Sequence, residues 1–287
     1  MSRTKLWLLV ALAALLALGG VAAGCGGDDD DDGDEPAATE PADGEPAADL
    51  EVINEGTLTV GTDAPFPPFE IGRPPDVTGY DIEVMDGIAE QLGLETEYQN
   101  TSFDTIFRDV AQGQFDIVAA ASTITPGREQ SVDFSDPYYE AQQALVVTED
   151  SDIASVDDLS GVVVGAQDAT TGETYANDET DAAEVRGFEQ GPDAIVALQT
   201  GQVEAVIIDQ PVAVDAVEQQ GGVEVVEEIP TDELYGFAMS QENQALREAV
   251  NEALTTLKED GTITELYEKY FSVQPPASVL EGEHEPS

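Results

Sequence analysis

From Leu50 onward, short apolar runs alternate with segments whose apolar residues fall at helical spacing, and this alternation confines the chain to an α/β architecture. Runs at 57–62, 115–121, 144–148, 162–166, 203–208, 223–229 and 235–239 read as strands. Between them, Met85, Ile88, Ala89 and Leu92 share one helical face, with Gly93 placed to end the helix. Ile106, Phe107 and Val110 mark a second helix, Ile195 and Leu198 after Pro192 another, and Pro211 opens the next. Leu246, Val250, Leu254 and Leu257 line a long helix ended by Gly261; Ile263, Leu266, Tyr267 and Tyr270 line the last one. Thr170 and Glu173 have capping-box spacing, so a helix starts there as well. In open α/β sheets, ligands sit beyond the carboxyl ends of the strands. That rule selects Asp63, Thr123, the 167–172 segment and Asp209.

The segment ahead of this body has a different character. Arg3 and Lys5 precede an almost unbroken apolar run at 6–18, too short to span a bilayer and of the length of an export signal. Val21-Ala22-Ala23-Gly24-Cys25 follows and resembles a lipobox, in which the cysteine carries lipid and begins the mature protein. The reading is a signal peptide at 1–24 and an acidic, disordered tether at 25–49, holding the protein on the outer face of the cytoplasmic membrane or in the periplasm. An ordinary secretory signal with an incidental cysteine is the alternative.

A formal charge of -52, from 61 acidic against 9 basic residues, argues against a nucleic-acid partner and against charge-driven binding to anionic lipid. It suits a saline medium, where screening weakens self-repulsion. Cys25 is the sole cysteine, so no intramolecular disulfide forms. The sole histidine, His284, falls in a polar segment, 274–287, read as a disordered tail. A His-based triad or a His-ligated zinc in the core is thereby excluded. No metal or cofactor is expected, and the protein is read as a monomer.

The most informative stretch is Ser122-Thr123-Ile124-Thr125-Pro126-Gly127-Arg128. A guanidinium one turn past a hydroxyl-rich strand end can hold a carboxylate through two parallel hydrogen bonds. Taken alone, such an arginine more often pairs with surface acids. Asp209 ends an apolar strand, where it can take an ammonium group or N-cap the helix opened by Pro211. Together, Arg128 and Asp209 describe the two ends of an α-amino acid. Phe66 and Phe103 are candidate apolar walls, each just past a strand end, and Asp63 can reach a ligand side chain or serve as a turn residue.

These residues lie in a series of motifs: Val60-Gly61-Thr62-Asp63, Pro68-Phe69-Glu70, Gly79-Tyr80-Asp81-Ile82, Thr123-Ile124-Thr125 with Arg128, and Val132-Asp133-Phe134-Ser135-Asp136-Pro137-Tyr138-Tyr139. Thr170-Thr171-Gly172-Glu173-Thr174-Tyr175-Ala176, Val206-Ile207-Ile208-Asp209 and Asp260-Gly261-Thr262 continue it. In this order they resemble the polar amino-acid-binding family of bacterial extracellular solute-binding proteins, which includes glutamine-, histidine- and lysine/arginine-binding proteins of ATP-binding-cassette importers. The resemblance implies a periplasmic binding protein-like (type II) fold, with two α/β lobes joined by two crossover strands and a ligand cleft between them. Lobe 1 is expected at 50–137 plus 238–273, hinge strands at 138–142 and 233–237, and lobe 2 at 143–232.

The resemblance also implies roles: Arg128 and Thr123 as the carboxylate clamp with backbone contacts from Ala121, the Thr170 N–H on the same carboxylate, Asp209 on the ammonium, and Phe66 and Phe103 around the ligand. Gln167 stands where glutamine-binding members have Lys, and Ala169 where many have Gly. Since Asp63 repels an acidic side chain, the expected partner is a free neutral polar or cationic amino acid, passed to the transmembrane permease of an importer. The alternative on the same fold is an exported cyclohexadienyl or arogenate dehydratase, for which the sequence offers no acid poised over a leaving hydroxyl.

Overall fold

The computed structural model describes residues 50–284, so the expected signal, Cys25 and the acidic tether lie outside the described residues. The alternation becomes β1 (Thr57–Thr62), α1 (Tyr80–Leu92), β2 (Glu95–Asn100), α2 (Phe103–Ala111), β3 (Ile117–Val118) and β4 (Val132–Phe134). The chain then crosses along β5 (Tyr139–Thr148) into β6 (Val163–Gln167), α3 (Thr171–Asp178), β7 (Glu184–Phe188), α4 (Gly191–Gln199), β8 (Ala205–Asp209) and α5 (Gln210–Gln220). It returns along β9 (Val223–Tyr235) to β10 (Ala238–Ser240), α6 (Gln244–Glu259), α7 (Thr262–Phe271) and the short α8 (Ala277–Leu280).

Two five-stranded sheets result, ordered β2-β1-β3-β10-β4 and β7-β6-β8-β5-β9. In the first, β1 runs parallel to β2 and β3; in the second, β6 runs parallel to β7 and β8. Each sheet therefore reverses its strand order once, between β1 and β3 and between β6 and β8. Such a reversal opens a crevice at the carboxyl ends of the strands, because successive helices go to opposite faces. The same topology made twice gives two facing crevices.

The apolar pattern explains the layers. Leu58, Val60 and Ile117 face Met85, Ile88, Val250 and Leu254, whereas Val118 turns to the opposite face with Phe103, Ile106 and Val110. In the second sheet, Val146, Val206 and Ile208 face Ile195, Leu198 and Val212, while Leu145, Val164 and Ile207 take the other side. Both sheets are thus covered on both faces, as a doubly wound fold requires. The two lobes meet at a knot of rings. Phe69 lies 5.0 Å from Tyr139 and 5.4 Å from both Tyr235 and Phe271, so one buried side chain touches both crossover strands and α7. Gly79 is required nearby: its φ is +131°, and a Cβ there would come within 2.1 Å of the Phe69 carbonyl oxygen.

Three expectations change. The runs at 223–229 and 235–239 are not separate strands of that extent: β9 continues to Tyr235 and β10 starts at Ala238. Pro230 suggested a break, yet β9 is an edge strand, where a missing N–H costs no ladder bond. Pro230, Thr231 and Asp232 stand opposite the single residue Gln142, a bulge that bends the crossover. β2 and β7 were missed because both are edges with largely polar sequence, so neither carries an apolar run. The 274–287 segment is not a disordered tail as far as it is described. Val279 is fully buried, the His284 backbone N–H donates to Asp136 Oδ1 at 2.7 Å, and the imidazole Nε2 lies 2.9 Å from Glu129 Oε1. The buried side chains of Pro275 and Val279, together with these polar ties, hold a stretch whose composition alone reads as solvated. Among the described residues no helix is long and apolar enough to cross a membrane.

Candidate functional site

The two crevices face one cavity. Asp63 enters it from the end of β1, Ala121 and Thr123 from beyond β3, Gln167 from the end of β6, Thr170 from the start of α3, and Asp209 from the end of β8. Phe66, Phe103 and Arg128 complete the set, so the cavity gathers every expected binding residue of the body.

Arg128 does not pair with a surface acid. Its Nη1 donates to the Thr123 carbonyl at 2.7 Å and its Nη2 to the Ala169 carbonyl, on the other lobe, at 3.2 Å. The guanidinium lies 5.0 Å from the Phe103 ring centroid and 4.7 Å from that of Phe107. Burial lowers its pKa to about 10, against the pull of Glu233 and Asp209, so it remains a cation at neutral pH. The aromatic rings hold the planar fork in place and leave it a fixed positive charge in the cavity wall.

Asp209 occupies the N-cap position of α5, but its side chain makes no capping bond. The Gln143 amide donates to it instead, and its carboxylate faces the cavity. Burial first, and then the neighbouring Glu233, raise its pKa to about 7. Asp63 is only 4% exposed and accepts from Gln167 Nε2 at 2.7 Å and Gln190 Nε2 at 2.6 Å, both from the opposite lobe. Burial raises its pKa to about 6, while the Gln167 amide opposes the shift.

Thr170 N-caps α3: its hydroxyl accepts from the Glu173 N–H at 3.1 Å and donates to the Gln167 carbonyl at 2.8 Å. The reciprocal arm of the expected capping box reaches one residue further back, from Glu173 to the Ala169 N–H. With its hydroxyl so engaged, Thr170 can offer a ligand only backbone. Ala169 takes a left-handed φ of +63°, the conformation that explains a preference for glycine there. Ala121, also left-handed at φ +43°, donates its N–H to Asp81 Oδ2 at 2.8 Å, so its carbonyl is what remains for a ligand.

Residues that sequence reasoning did not single out surround these. Glu233, on β9, accepts from the hydroxyl of Thr123 at 2.6 Å and from that of Thr171 at 2.7 Å, and from Gln143 at 3.0 Å. One carboxylate of a crossover strand thus ties Thr123, after β3, to Thr171, at the start of α3. Glu70 lines the cavity and is fully buried. Phe107 stacks on Arg128 and Gln190 binds Asp63. No local signal marks Gln143 or Glu233, which sit mid-strand; Glu70 was visible only as part of a motif.

The family model described as bacterial extracellular solute-binding proteins, family 3, matches residues 58–273. Arginine-binding protein 1 of Escherichia coli is 29% identical over 75% of this chain and 90% of its own length. A probable histidine-binding protein of Neisseria gonorrhoeae is 33% identical over 93% and 96%. Among solved structures, an ancestral arginine-binding protein bound to arginine has a TM-score of 0.71 at 40% identity, covering 75% of this chain and 98% of that one. These relatives are named for binding, not for a reaction, and this chain too is a binding protein rather than an enzyme. Its fold, its paired crevices and the extent of the match place it in family 3 of the bacterial extracellular solute-binding proteins.

Proposed function

We propose that this protein binds one free polar or basic L-amino acid and hands it to the permease of an importer. Arg128 takes the carboxylate, helped by Thr123 and the Thr170 N–H, and Asp209 and the Ala121 carbonyl take the ammonium. Phe66 and Phe103 pack on the aliphatic part, while Asp63 and Gln167 meet the side chain. The observation that carries this reading is that Arg128, in the turn before β4, and Asp209, at the end of β8 in the other sheet, line the same cavity. A zwitterion leaves water at acceptable cost only when both charges find partners, and neither lobe alone supplies both. Ligand therefore favours closure, with hinges at 138–142 and 233–237 between lobe 1 (50–137 plus 238–273) and lobe 2 (143–232). The protein acts as a monomer held by lipid on Cys25.

Native mass spectrometry of the protein, purified without denaturation from a cell that exports it, tests both parts. The expected spectrum carries the added mass of one neutral polar or basic amino acid and of acyl chains on Cys25. Captured glutamate or aspartate, or an unmodified cysteine, contradicts the corresponding part.

The pH dependence follows from Asp209. With its pKa raised to about 7, it is ionised above that pH and neutral below it. An ammonium pairs with the ionised form, so affinity is complete above about pH 7 and is lost as the pH falls. For glutamine the loss approaches roughly tenfold per pH unit below the pKa. Calorimetric titration between pH 5 and 8 measures it; a flat profile removes Asp209 from the ammonium site.

A further inference from the structure

Glu70 and Asp81 form a buried pair of carboxyl groups under the cavity. Both residues are fully buried, and Glu70 lines the cavity itself. Asp81 Oδ2 accepts from the Ala121 N–H at 2.8 Å and the Tyr138 hydroxyl at 2.7 Å. Asp81 Oδ1 and both oxygens of Glu70 receive no donor from any other described residue. What remains for them is each other, and two carboxyl groups hydrogen-bond only when a proton lies between them. The surroundings favour that proton. The charges of Asp63 and Asp209 also act on Glu70, of the nearby tyrosines only Tyr138 donates to Asp81, and no cation is among the described groups that perturb the pair. Burial, followed by the charge of Asp81, raises Glu70 well above the usual carboxylate range.

We propose that Glu70 is a specificity-determining residue: with Asp81 it holds one proton while no cationic ligand side chain is bound, and it releases that proton to solvent when such a side chain enters. The exchange rests on the amino-acid-binding function proposed above. One positive charge leaves as another arrives, so the charge of the cavity is unchanged. A basic side chain then meets a full carboxylate at Glu70, whereas a neutral polar side chain meets a carboxylic acid. The same residue thereby serves both ligand classes in different protonation states.

Calorimetry of the whole chain at pH 8, in two buffers of different ionisation enthalpy, counts the protons released on binding. Arginine and glutamine are the probes. At this pH Asp63 and Asp209 are already ionised, given their pKa values of about 6 and about 7, and the ligand's own ammonium contributes alike in both titrations. The expected result is that arginine releases about one proton more than glutamine. In Glu70→Gln, whose amide can still donate to Asp81, the excess disappears, with or without a loss of arginine affinity. Equal proton counts in the unaltered protein overturn the proposal, as does an excess that survives in Glu70→Gln. Glutamine binding with no arginine binding also overturns it while leaving the amino-acid function standing. Binding of neither amino acid, nor of any other, instead removes that function.

Discussion

Arg128→Ala is expected to weaken amino-acid binding by roughly 3–5 kcal/mol, the cost of leaving a buried charge without its partner. In affinity that is roughly a 100- to 4000-fold rise in Kd. The loss acts at both ends of the ligand. The guanidinium is held by the Thr123 and Ala169 carbonyls and by two aromatic rings, and among the described residues that line the cavity no other carries positive charge. Arg128 also helps to keep Asp209 ionised, so its removal raises the Asp209 pKa further and weakens the ammonium site. Arg128→Lys is expected to restore little, because an ammonium cannot reproduce two parallel bonds or the flat stack on Phe103 and Phe107. Titration calorimetry on protein of unchanged circular dichroism measures the effect. An Arg128→Ala protein with unaltered affinity would dismiss the carboxylate clamp.

Phe69→Ala is expected to have the largest effect on stability. The ring is fully buried and contacts Phe66, Tyr80, Tyr139, Tyr235 and Phe271, which come from a cleft loop, α1, both crossover strands and α7. Truncating such a phenylalanine removes apolar burial and leaves a cavity that rigid neighbours cannot fill, a cost of about 3–5 kcal/mol. For a folded body of this size that is roughly a 6–20 °C fall in Tm. Calorimetric or urea unfolding measures it. A loss below about 1 kcal/mol would show that the aromatic knot can close around the gap and is not what holds the lobes to the crossover. The substitution also loosens the packing against both hinge strands, so it should cost ligand affinity without touching the ligand.

The legible part of this protein is the part fixed by short-range rules. The buried strands 57–62, 162–166 and 203–208 were visible because a strand covered on both faces is rich in buried apolar residues, here Leu58 and Val60, Val162 and Val164, and Val206 to Ile208. Asp63, Thr123, Gln167, Thr170 and Asp209 were selected because each lies just past an expected strand, and α/β topology turns strand ends into a crevice; all five line the one cavity. The edges β2 and β7, the bulge at Pro230–Asp232 and the packed 274–284 segment were not visible. Their structure depends on what lies beside them, and their composition resembles that of loops.

The sequence by itself determined the α/β class, the strand ends that line the cavity and the opposite charges of Arg128 and Asp209. Only the tertiary structure decided that Glu233 on a crossover strand would tie Thr123 of one lobe to Thr171 of the other, that Asp209 would turn from its helix to the cavity, and that Glu70 would be buried beside Asp81 with no donor from elsewhere. The physical reason is that propensity and periodicity act between residues a few positions apart. The protonation and hydrogen bonding of a buried carboxyl group depend on which distant segments exclude water around it, and the chain settles that only when both sheets have formed and met.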